Sequence, residues 1–534
     1  MPSKITVFRS GVCICETEGI KGEMLLGRLN AAGVSIDAPC GGMGRCGKCL
    51  VRLSPDGKQV QACRTPIEGD MEVYLPEESG MDIIETSDTG AEISAGSESG
   101  IRKSGFSVAG NSIRKFSVPL GVAVDIGTTT VVAHLTELET GRRIATASGV
   151  NAQRPYGADV ISRINYCITN GNETLTKIIR KQIKSLINQA CADSGTHLQD
   201  IKSVAIAANT IMEHLAAGYS PVSMGVVPFT PVSLFGEEHP VWDELPINKS
   251  AKIYFAPAVT AYVGGDITAG ILAAKLEDST EPVIFLDIGT NGEIALKTGD
   301  VYYCCATAAG PAFEGAEISM GMAATTGAVS HVNWDGELKL SVIGGDKPRG
   351  LCGSGLVDAL AVLLDTGAVD ETGRLLDRDE IDHDIAKYID EVDGINVFWL
   401  NKEEPGDSAT EEPGIYVTAA DVRKLQLAKS AIAAGIATLL QHSGTPVDQV
   451  EALVLAGGFG SYIDLHSAAR IRLFPTSLLP VAKACGNTAG EGASLALCSE
   501  AAREQLSSIR ERCEYIELSA STVFNEQFVE QMMF

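Results

Sequence analysis

Four cysteines near the amino end are spaced as the ligands of a metal centre would be. Cys40, Cys46 and Cys49 share one short loop, and Cys63 follows after thirteen residues, whereas the other ten cysteines are scattered. Three thiolates from one loop can surround two irons only if the backbone wraps closely, which glycine permits; the loop contains Gly41, Gly42, Gly44 and Gly47. We therefore predict a [2Fe–2S] cluster. A four-cysteine zinc site is the alternative, but such sites usually have two C-x2-C pairs and this loop has one.

Two similar segments further along the chain, 120–141 and 282–306, could bind phosphate. Each has an apolar strand, then Asp-Ile-Gly-Thr, then a second strand that runs to a Thr-Gly turn, and their aspartates, Asp125 and Asp287, are 162 positions apart. In such a turn, backbone amides and Thr hydroxyls donate to phosphate oxygens, and the aspartate can hold Mg²⁺ through water. The chain has no G-x4-G-K-[ST] motif, so this is not a P-loop. Two such hairpins facing each other would clamp a triphosphate.

The elements that must position the cysteine loop are short. Residues 4–10 and 71–76 have strand character, and 22–33 form an amphipathic helix that ends at Gly33. With the cysteine spacing, these elements resemble the [2Fe–2S] ferredoxins of the plant and adrenodoxin type. The resemblance implies a β-grasp domain over residues 1–84. Two further cysteines, Cys13 and Cys15, do not fit the ligand pattern, and we interpret them as ordinary strand residues.

Residues 85–118 separate this unit from the phosphate-binding segments. They are rich in Ser, Gly and Thr and lack a sustained apolar period, which predicts a flexible linker. A chain of that length has a root-mean-square span of roughly 30 Å, enough for the first unit to swing between an electron donor and an acceptor. The alternative is a linker ordered against the larger domain.

Residues 119–534 resemble the actin, sugar-kinase and Hsp70 ATPase superfamily. The resemblance implies a multidomain α/β protein with a duplicated ribonuclease-H-like core, in which lobe I spans about 119–280 and lobe II about 281–534. It implies that Asp125 and Asp287 hold Mg²⁺ through water and that Asp287 orients the hydrolytic water. By motif, it assigns Asp125, Gly127, Thr128, Thr129 and Thr130 to a first phosphate loop, Asp287, Gly289, Thr290 and Asn291 to a second, and Gly457, Gly458 and Phe459 to an adenosine-binding turn.

Several further segments could belong to the same cleft. Residues 487–497 fit the helix that links the two lobes, while 308–321 and 350–360 either line the cleft or pack helices. Residues 153–164 could meet a substrate or partner, or simply begin a helix. We interpret His214 as structural rather than catalytic, because it lies on an apolar helix and lacks the second His of H-E-x-x-H. The pair Cys304-Cys305 lies in a predicted strand, and we interpret it as core packing.

Charge and composition exclude some classes of function. The net charge is −26, from 68 acidic against 42 basic residues, and no basic cluster exceeds three residues. Nucleic acid and anionic membrane surfaces are therefore not expected partners; the acidity serves solubility or the docking of a basic partner. No apolar run reaches the roughly 18 residues that span a bilayer, and residues 1–12 lack a secretion signal. We expect a cytoplasmic protein with reduced thiols.

The order ferredoxin, linker and actin-like ATPase resembles one family over essentially the whole chain, the ATP-dependent reductive activators of corrinoid proteins. The resemblance implies that a [2Fe–2S] cluster, ATP and Mg²⁺ act together to return a corrinoid protein of a methyltransferase system from Co(II) to Co(I). It also implies a low-potential electron donor and allows a homodimer, for which the residues show no interface. Two alternatives remain: a metabolite kinase with a fused redox-sensing ferredoxin domain, and a non-catalytic carrier whose actin-like part only docks a reductase.

Overall fold

The computed structural model divides into an amino-terminal sheet and two larger sheets with their helices. It describes residues 2–32, 34, 36, 42, 44, 49–55, 57, 59–76, 119–315, 317–345, 347–402, 414–460 and 462–534. The predicted linker 85–118 and two of the predicted cluster ligands, Cys40 and Cys46, lie outside these residues.

The amino-terminal sheet has five strands in the order β2-β1-β5-β3-β4. Strand β1 pairs antiparallel with β2 and parallel with β5. Alternate side chains of β1, including Ile5 and Val7, are buried against α1, as the two-residue period of a strand requires. The helix begins later than predicted, because Gly22 has a φ of +89° and Met24, its N-cap, has an extended backbone. The elements are β1 (Ser3–Arg9), β2 (Val12–Gly19), α1 (Leu25–Ala31), β3 (Leu50–Arg52), β4 (Gln59–Gln61) and β5 (Met71–Leu75).

The second sheet has six strands in the order β10-β11-β9-β6-β7-β8. Its strand β6 is buried on both faces, as expected for a central strand covered by helices. It pairs antiparallel with β7 and parallel with β9. The elements are β6 (Leu120–Ile126), β7 (Thr130–Glu137), β8 (Arg143–Val150), α2 (Val160–Asn170), α3 (Glu173–Ser194), β9 (Ile201–Ala208), α4 (Thr210–Ala217), β10 (Glu238–Pro240), β11 (Lys252–Phe255) and α5 (Gly265–Ala273).

The third sheet repeats this pattern in the order β22-β21-β12-β13-β14-β23. Strand β12 pairs antiparallel with β13 and parallel with β21, as β6 does with β7 and β9. The sequence repeat is therefore a structural repeat. Two small sheets and a long helix are inserted between β14 and β21. The elements are β12 (Val283–Ile288), β13 (Gly292–Thr298), β14 (Val301–Thr307), β15 (Ala328–Trp334), β16 (Leu338–Val342), β17 (Gly350–Leu351), α6 (Gly353–Asp365), α7 (His383–Ala386), β18 (Ile389–Val392), β19 (Ile395–Lys402), β20 (Gly414–Thr418), α8 (Ala419–Ser443), β21 (Ala452–Ala456), α9 (Gly457–Gly460), α10 (Leu465–Arg470), β22 (Ala482–Ala484), α11 (Thr488–Cys498), α12 (Glu500–Glu511), β23 (Cys513–Tyr515) and α13 (Thr522–Glu530).

Two helices join the larger sheets. Helix α11, which matches the predicted lobe-linking helix, crosses α5 so closely that a Cβ on Gly492 would lie 2.1 Å from the carbonyl oxygen of Ala269. A Cβ on Gly270 would lie 2.5 Å from the ring of Phe285. Small residues therefore let the helices reach both sheets, and the buried cluster here combines Ala123, Ala205, Phe285, Val454, Ala489 and Ala493.

The last residues of the chain are anchored beneath α8. Phe534 is 1% exposed, and the ammonium of Lys429 lies 4.8 Å from its ring centroid. The same Nζ donates to the carbonyl oxygens of Gln531 (2.5 Å) and Met533 (2.6 Å). Burial lowers the pKa of Lys429 to about 7. The tail is thus part of the folded core.

Candidate functional site

The first predicted phosphate loop is the tight turn between β6 and β7. A Cβ on Gly127 would lie 3.0 Å from the carbonyl oxygen of Thr130, so the turn leaves little room for a larger residue. Two asparagines hold it: Asn151 Nδ2 donates to the Gly127 carbonyl over 2.8 Å, and Asn209 Nδ2 donates to Thr128 Oγ1 over 3.2 Å. The side chain of Asn209 also caps α4. The loop therefore has a preset shape.

The second predicted loop is the corresponding turn between β12 and β13. The amide of Gly289 donates to the carbonyl of Asn291 over 2.9 Å, which closes the turn. The Oγ1 of Thr290 donates to a carboxylate oxygen of Glu314 over 2.9 Å, and Thr129 of the first loop donates to the same carboxylate. One side chain thus bridges the two loops, which confirms that they face each other.

The two predicted aspartates lie side by side at the ends of β6 and β12. Burial raises the pKa of Asp125 to about 6, although Asn487 Nδ2 donates to its Oδ2 over 2.8 Å and opposes the shift. Burial and repulsion from Asp125 raise the pKa of Asp287 to about 7. The structure therefore brings together two carboxylates that are unfavourable to ionise unless a cation neutralises them.

Two further acids, which sequence reasoning missed, complete this cluster. Asp266 lies in the first turn of α5, and Glu293 stands on β13 opposite Asp287. Burial raises the pKa of Asp266 well above its ordinary value, with repulsion from Asp287 and Asp125 as further causes. Burial also raises the pKa of Glu293 strongly, and Asp266 and Asp287 add to it. The position of Glu293 in the same hairpin as Asp287 was the available signal.

The acid cluster offers carboxylate oxygens, which are donors that Mg²⁺ uses in proteins. Among the residues that the structure describes, no group of three or more His, Cys, Asp or Glu side chains is placed to hold a metal ion directly. Mg²⁺ dehydrates reluctantly and usually keeps several waters when it binds carboxylates and phosphates. The donor set, with the hydroxyls of Thr129 and Thr290 close by, therefore fits a hydrated Mg²⁺ bound with a phosphate group.

The third predicted turn abuts the second aspartate. Gly457 has a φ of +87°, and a Cβ there would lie 2.5 Å from Asp287 Oδ1. Next to it, the ring of Phe459 packs 5.1 Å from that of Phe313. A Cβ on Gly353 would lie 1.6 Å from the Phe313 carbonyl oxygen. Segment 350–360 therefore supports this turn by close packing.

Segment 153–164 supports the first phosphate loop from beneath. The segment begins a helix, as the simpler interpretation predicted, but α2 starts at Val160 and Asp159 is its cap, accepting from Ser162 N over 2.7 Å. Arg163 is fully buried and donates to the carbonyl of Thr128 through Nη2 and to Gln153 Oε1 through Nη1. Burial and the nearby Arg154 lower the pKa of Arg163 to about 9, so it remains charged at neutral pH. The sequence alone did not assign this segment to the phosphate site.

The remaining candidates, His214, Cys304 and Cys305, are buried in the fold. His214 is fully buried, and its Nδ1 donates to the carbonyl of Thr210 over 2.7 Å, while its Nε2 accepts from Val232 N over 3.0 Å. Burial lowers its pKa to about 4. Cys304 and Cys305 are fully buried on β14. The burial and the contacts of the three residues agree with the structural interpretation.

The described part of the cysteine loop fits a cluster. Cys49 is buried, and its carbonyl accepts from the amide of Ala62, the neighbour of Cys63, over 2.8 Å. Gly42 and Gly44 have φ of +85° and +71°, as predicted for a tightly wrapped backbone. A Cβ on Gly42 would lie 3.8 Å from that of Cys63. Cys13 and Cys15 lie on β2, as predicted.

Within the described ranges, no helix combines the length and the apolar character that crossing a membrane requires.

Two family models match the larger part of the chain. One, the RACo middle region, matches residues 120–279, and the other, described as the C-terminal domain of RACo, the ASKHA domain, matches 281–534. The actin-like fold predicted for this part is therefore confirmed. The β-grasp ferredoxin fold of residues 1–84 stays a prediction.

Three proteins resemble the chain over most of its length. The corrinoid activation enzyme RamQ of Eubacterium limosum is 33% identical over 568 aligned positions, which cover 94% of this chain and 94% of the relative. A [Co(II) methylated amine-specific corrinoid protein] reductase of Methanosarcina barkeri is 26% identical over 426 positions, covering 72% and 70%. The solved structure of a reductive activator for corrinoid, iron–sulfur protein is 30% identical, with a TM-score of 0.71, over 100% of this chain and 98% of that one. The chain thus belongs to the family of reductive activators of corrinoid proteins.

Proposed function

We propose that this protein uses ATP to drive one-electron reduction of a corrinoid protein from Co(II) to Co(I). The observation that carries the proposal is the pair of phosphate loops joined by one carboxylate, together with the cluster of four acids on the elements that lead into or flank them. It occurs in a chain that is similar over 94% of its length to a corrinoid activation enzyme. The corrinoid protein would belong to a methyltransferase system. The reaction would take place in the cytoplasm and draw on a low-potential electron donor.

Different residues of the cleft would have different roles in nucleotide hydrolysis. The loop hydroxyls and amides would bind the phosphates, Asp125 and Asp287 would hold Mg²⁺ through water, and Asp287 would orient the attacking water. The turn at Gly457, Gly458 and Phe459 would receive the adenosine. The bound cation would neutralise carboxylates whose pKa values burial has raised, so nucleotide and Mg²⁺ would bind together.

The amino-terminal cysteines would bind the cluster that carries the electron. Cys49 and Cys63 would bind the cluster together with Cys40 and Cys46. When bound, a [2Fe–2S] cluster accepts and releases one electron at a time. The buried position of Cys49 would exclude water from the cluster. The left-handed Gly42 and Gly44 would let backbone amides come close to the sulfides.

ATP is required because the electron must move uphill. Plant-type clusters have reduction potentials of about −400 mV. For one electron, each ~59 mV by which the acceptor's potential lies below the donor's lowers the equilibrium constant tenfold. The two lobes meet through α5 and α11 and through the bridge between the phosphate loops. A nucleotide bound between those loops would change the relative orientation of the two lobes. That change would alter the contact with the corrinoid protein.

The test is anaerobic reduction of a purified Co(II) corrinoid protein. The reconstituted chain, a low-potential reductant and MgATP should produce the Co(I) absorption band, and omission of ATP should abolish it. Cys49→Ser should lose both the cluster absorbance and the reduction, whereas Cys13→Ser, on the edge strand β2 of the same sheet, should keep both. A metabolite-driven ATP consumption without any corrinoid protein would favour the kinase alternative, and absence of ATPase under all conditions would favour the docking carrier.

A further inference from the structure

Glu314 holds the two phosphate loops together in a way that no motif predicted. It ends a short 3-10 helix, Pro311–Glu314, in the segment that follows β14. Thr129 Oγ1 lies 2.8 Å from both of its carboxylate oxygens, and Thr290 Oγ1 lies 2.9 Å from Oε1. A threonine hydroxyl has one proton to donate. The hydroxyls of Thr129 and Thr290, one from each loop, are therefore committed to one carboxylate.

The surroundings of Glu314 are those of an anion site. The fully buried guanidinium of Arg163 donates to the carbonyl of Thr128, the residue next to Thr129. The charge of Glu314 is close enough to favour the charged form of Arg163. Glu314 itself is partly exposed rather than sealed in the core. The carboxylate here thus accepts from two hydroxyl donors and lies within electrostatic reach of a buried positive charge, and a phosphate could use the same groups.

We propose that Glu314 occupies the place of a nucleotide phosphate group between the two loops, and that ATP must displace it to bind. The inference rests on the proposed nucleotide function and adds a regulatory feature to the same site. Two anions cannot share the same two donors, because each hydroxyl proton serves one acceptor and the anions repel each other. Glu314 then competes with the phosphates of ATP for the two hydroxyl donors, which weakens ATP binding. It also links the two lobes when no nucleotide is bound.

The experiment compares ligand affinities in the full-length chain with Glu314→Ala, Glu314→Gln and a control. Glu317→Gln removes the same charge from an exposed side chain three residues away. MgATP and adenosine are titrated against each protein. We expect Glu314→Ala to bind MgATP about tenfold more tightly, the effect of removing a competing charge-assisted contact, with a smaller gain in Glu314→Gln. Adenosine, which has no phosphate, and the Glu317→Gln control should show no change.

Other outcomes would overturn the inference in recognisable ways. Unchanged ATP affinity with lost hydrolysis would mean that Glu314 acts on the attacking water. Weaker ATP affinity would mean that Glu314 shapes the site for the nucleotide, and an equal gain for adenosine would mean that it acts on the cleft as a whole. If neither the unchanged chain nor Glu314→Ala binds ATP, the proposed nucleotide function fails and this inference fails with it. Glu314→Gln keeps the side-chain shape, so a folding defect confined to the alanine variant leaves the comparison intact.

Discussion

Replacing Asp287 by Asn should make the empty protein more stable while it destroys ATP hydrolysis. The folded chain holds this carboxylate beside Asp125 at the end of β12, where burial and repulsion raise its pKa to about 7 from an ordinary value of 3.8. Asn has nearly the same shape and carries no charge. It therefore removes the cost of ionising the site, and it also removes the charge expected to orient water and Mg²⁺.

The magnitude follows from the two pKa values. One pKa unit corresponds to about 1.36 kcal/mol, so the difference between 3.8 and about 7 sets an upper bound of about 4 kcal/mol above pH 7. Asp287 is only partly buried, and water reduces this cost, so we expect Asn to stabilise the folded state by about 2 kcal/mol at pH 8. Because the folded pKa is raised, the unchanged protein loses stability as pH rises from about 4 to about 7. The advantage of Asn should shrink towards zero near pH 4.

The assay follows unfolding by tryptophan fluorescence in EDTA, without nucleotide, at pH 5 and pH 8. All three tryptophans, Trp242, Trp334 and Trp399, lie in the ATPase part of the chain, so their fluorescence reports on that part alone. ATPase should fall by about a hundredfold or more, as for loss of a group that stabilises the transition state. The control Asp300→Asn removes an exposed charge beyond the far end of β13. A variant that is less stable than the unchanged protein at pH 8, or equally stabilised at both pH values, would refute this account of the acid cluster.

Three further substitutions test the supporting contacts. Phe534→Ala should cost about 3–4 kcal/mol, because it empties the site beneath α8, and a tryptophan unfolding transition that does not move would contradict the anchoring role of the tail. His214→Leu should lower the free energy of unfolding by about 2 kcal/mol, because it leaves the amide of Val232 unpaired. The ATPase activity measured at 20 °C should be kept. Lost activity with normal stability would indicate a chemical role instead. Arg163→Met should weaken MgATP binding about tenfold, because it removes the hydrogen bond that supports the Thr128 carbonyl. MgATP is titrated against this variant and against Arg142→Met, an exposed control. Equal affinity in the two variants would exclude that role for Arg163.

The elements that carry the site were largely predictable, because each depends on residues close together in the chain. The strand, Asp-Ile-Gly-Thr and strand pattern is local, and both copies form the hairpins expected of them. The helix around His214 and the strand around Cys304 were also recognisable from apolar periodicity. The supporting residues were harder to identify. Asn487 lies 362 positions from the aspartate to which it donates, and no local pattern connects the two.

The sequence by itself determined which residue types stand at the two hairpins and in the cysteine loop, since the spacing of Asp, Gly, Thr and Cys is a property of the chain alone. Only the tertiary structure decided which distant side chains join them. Glu314 lies 185 positions from Thr129, and the two meet because β6 and β12 begin equivalent sheets whose loops face each other across one cleft. Burial then raises the pKa values of Asp125 and Asp287, which would ionise readily in water. In the cleft, a bound cation would favour their charged form.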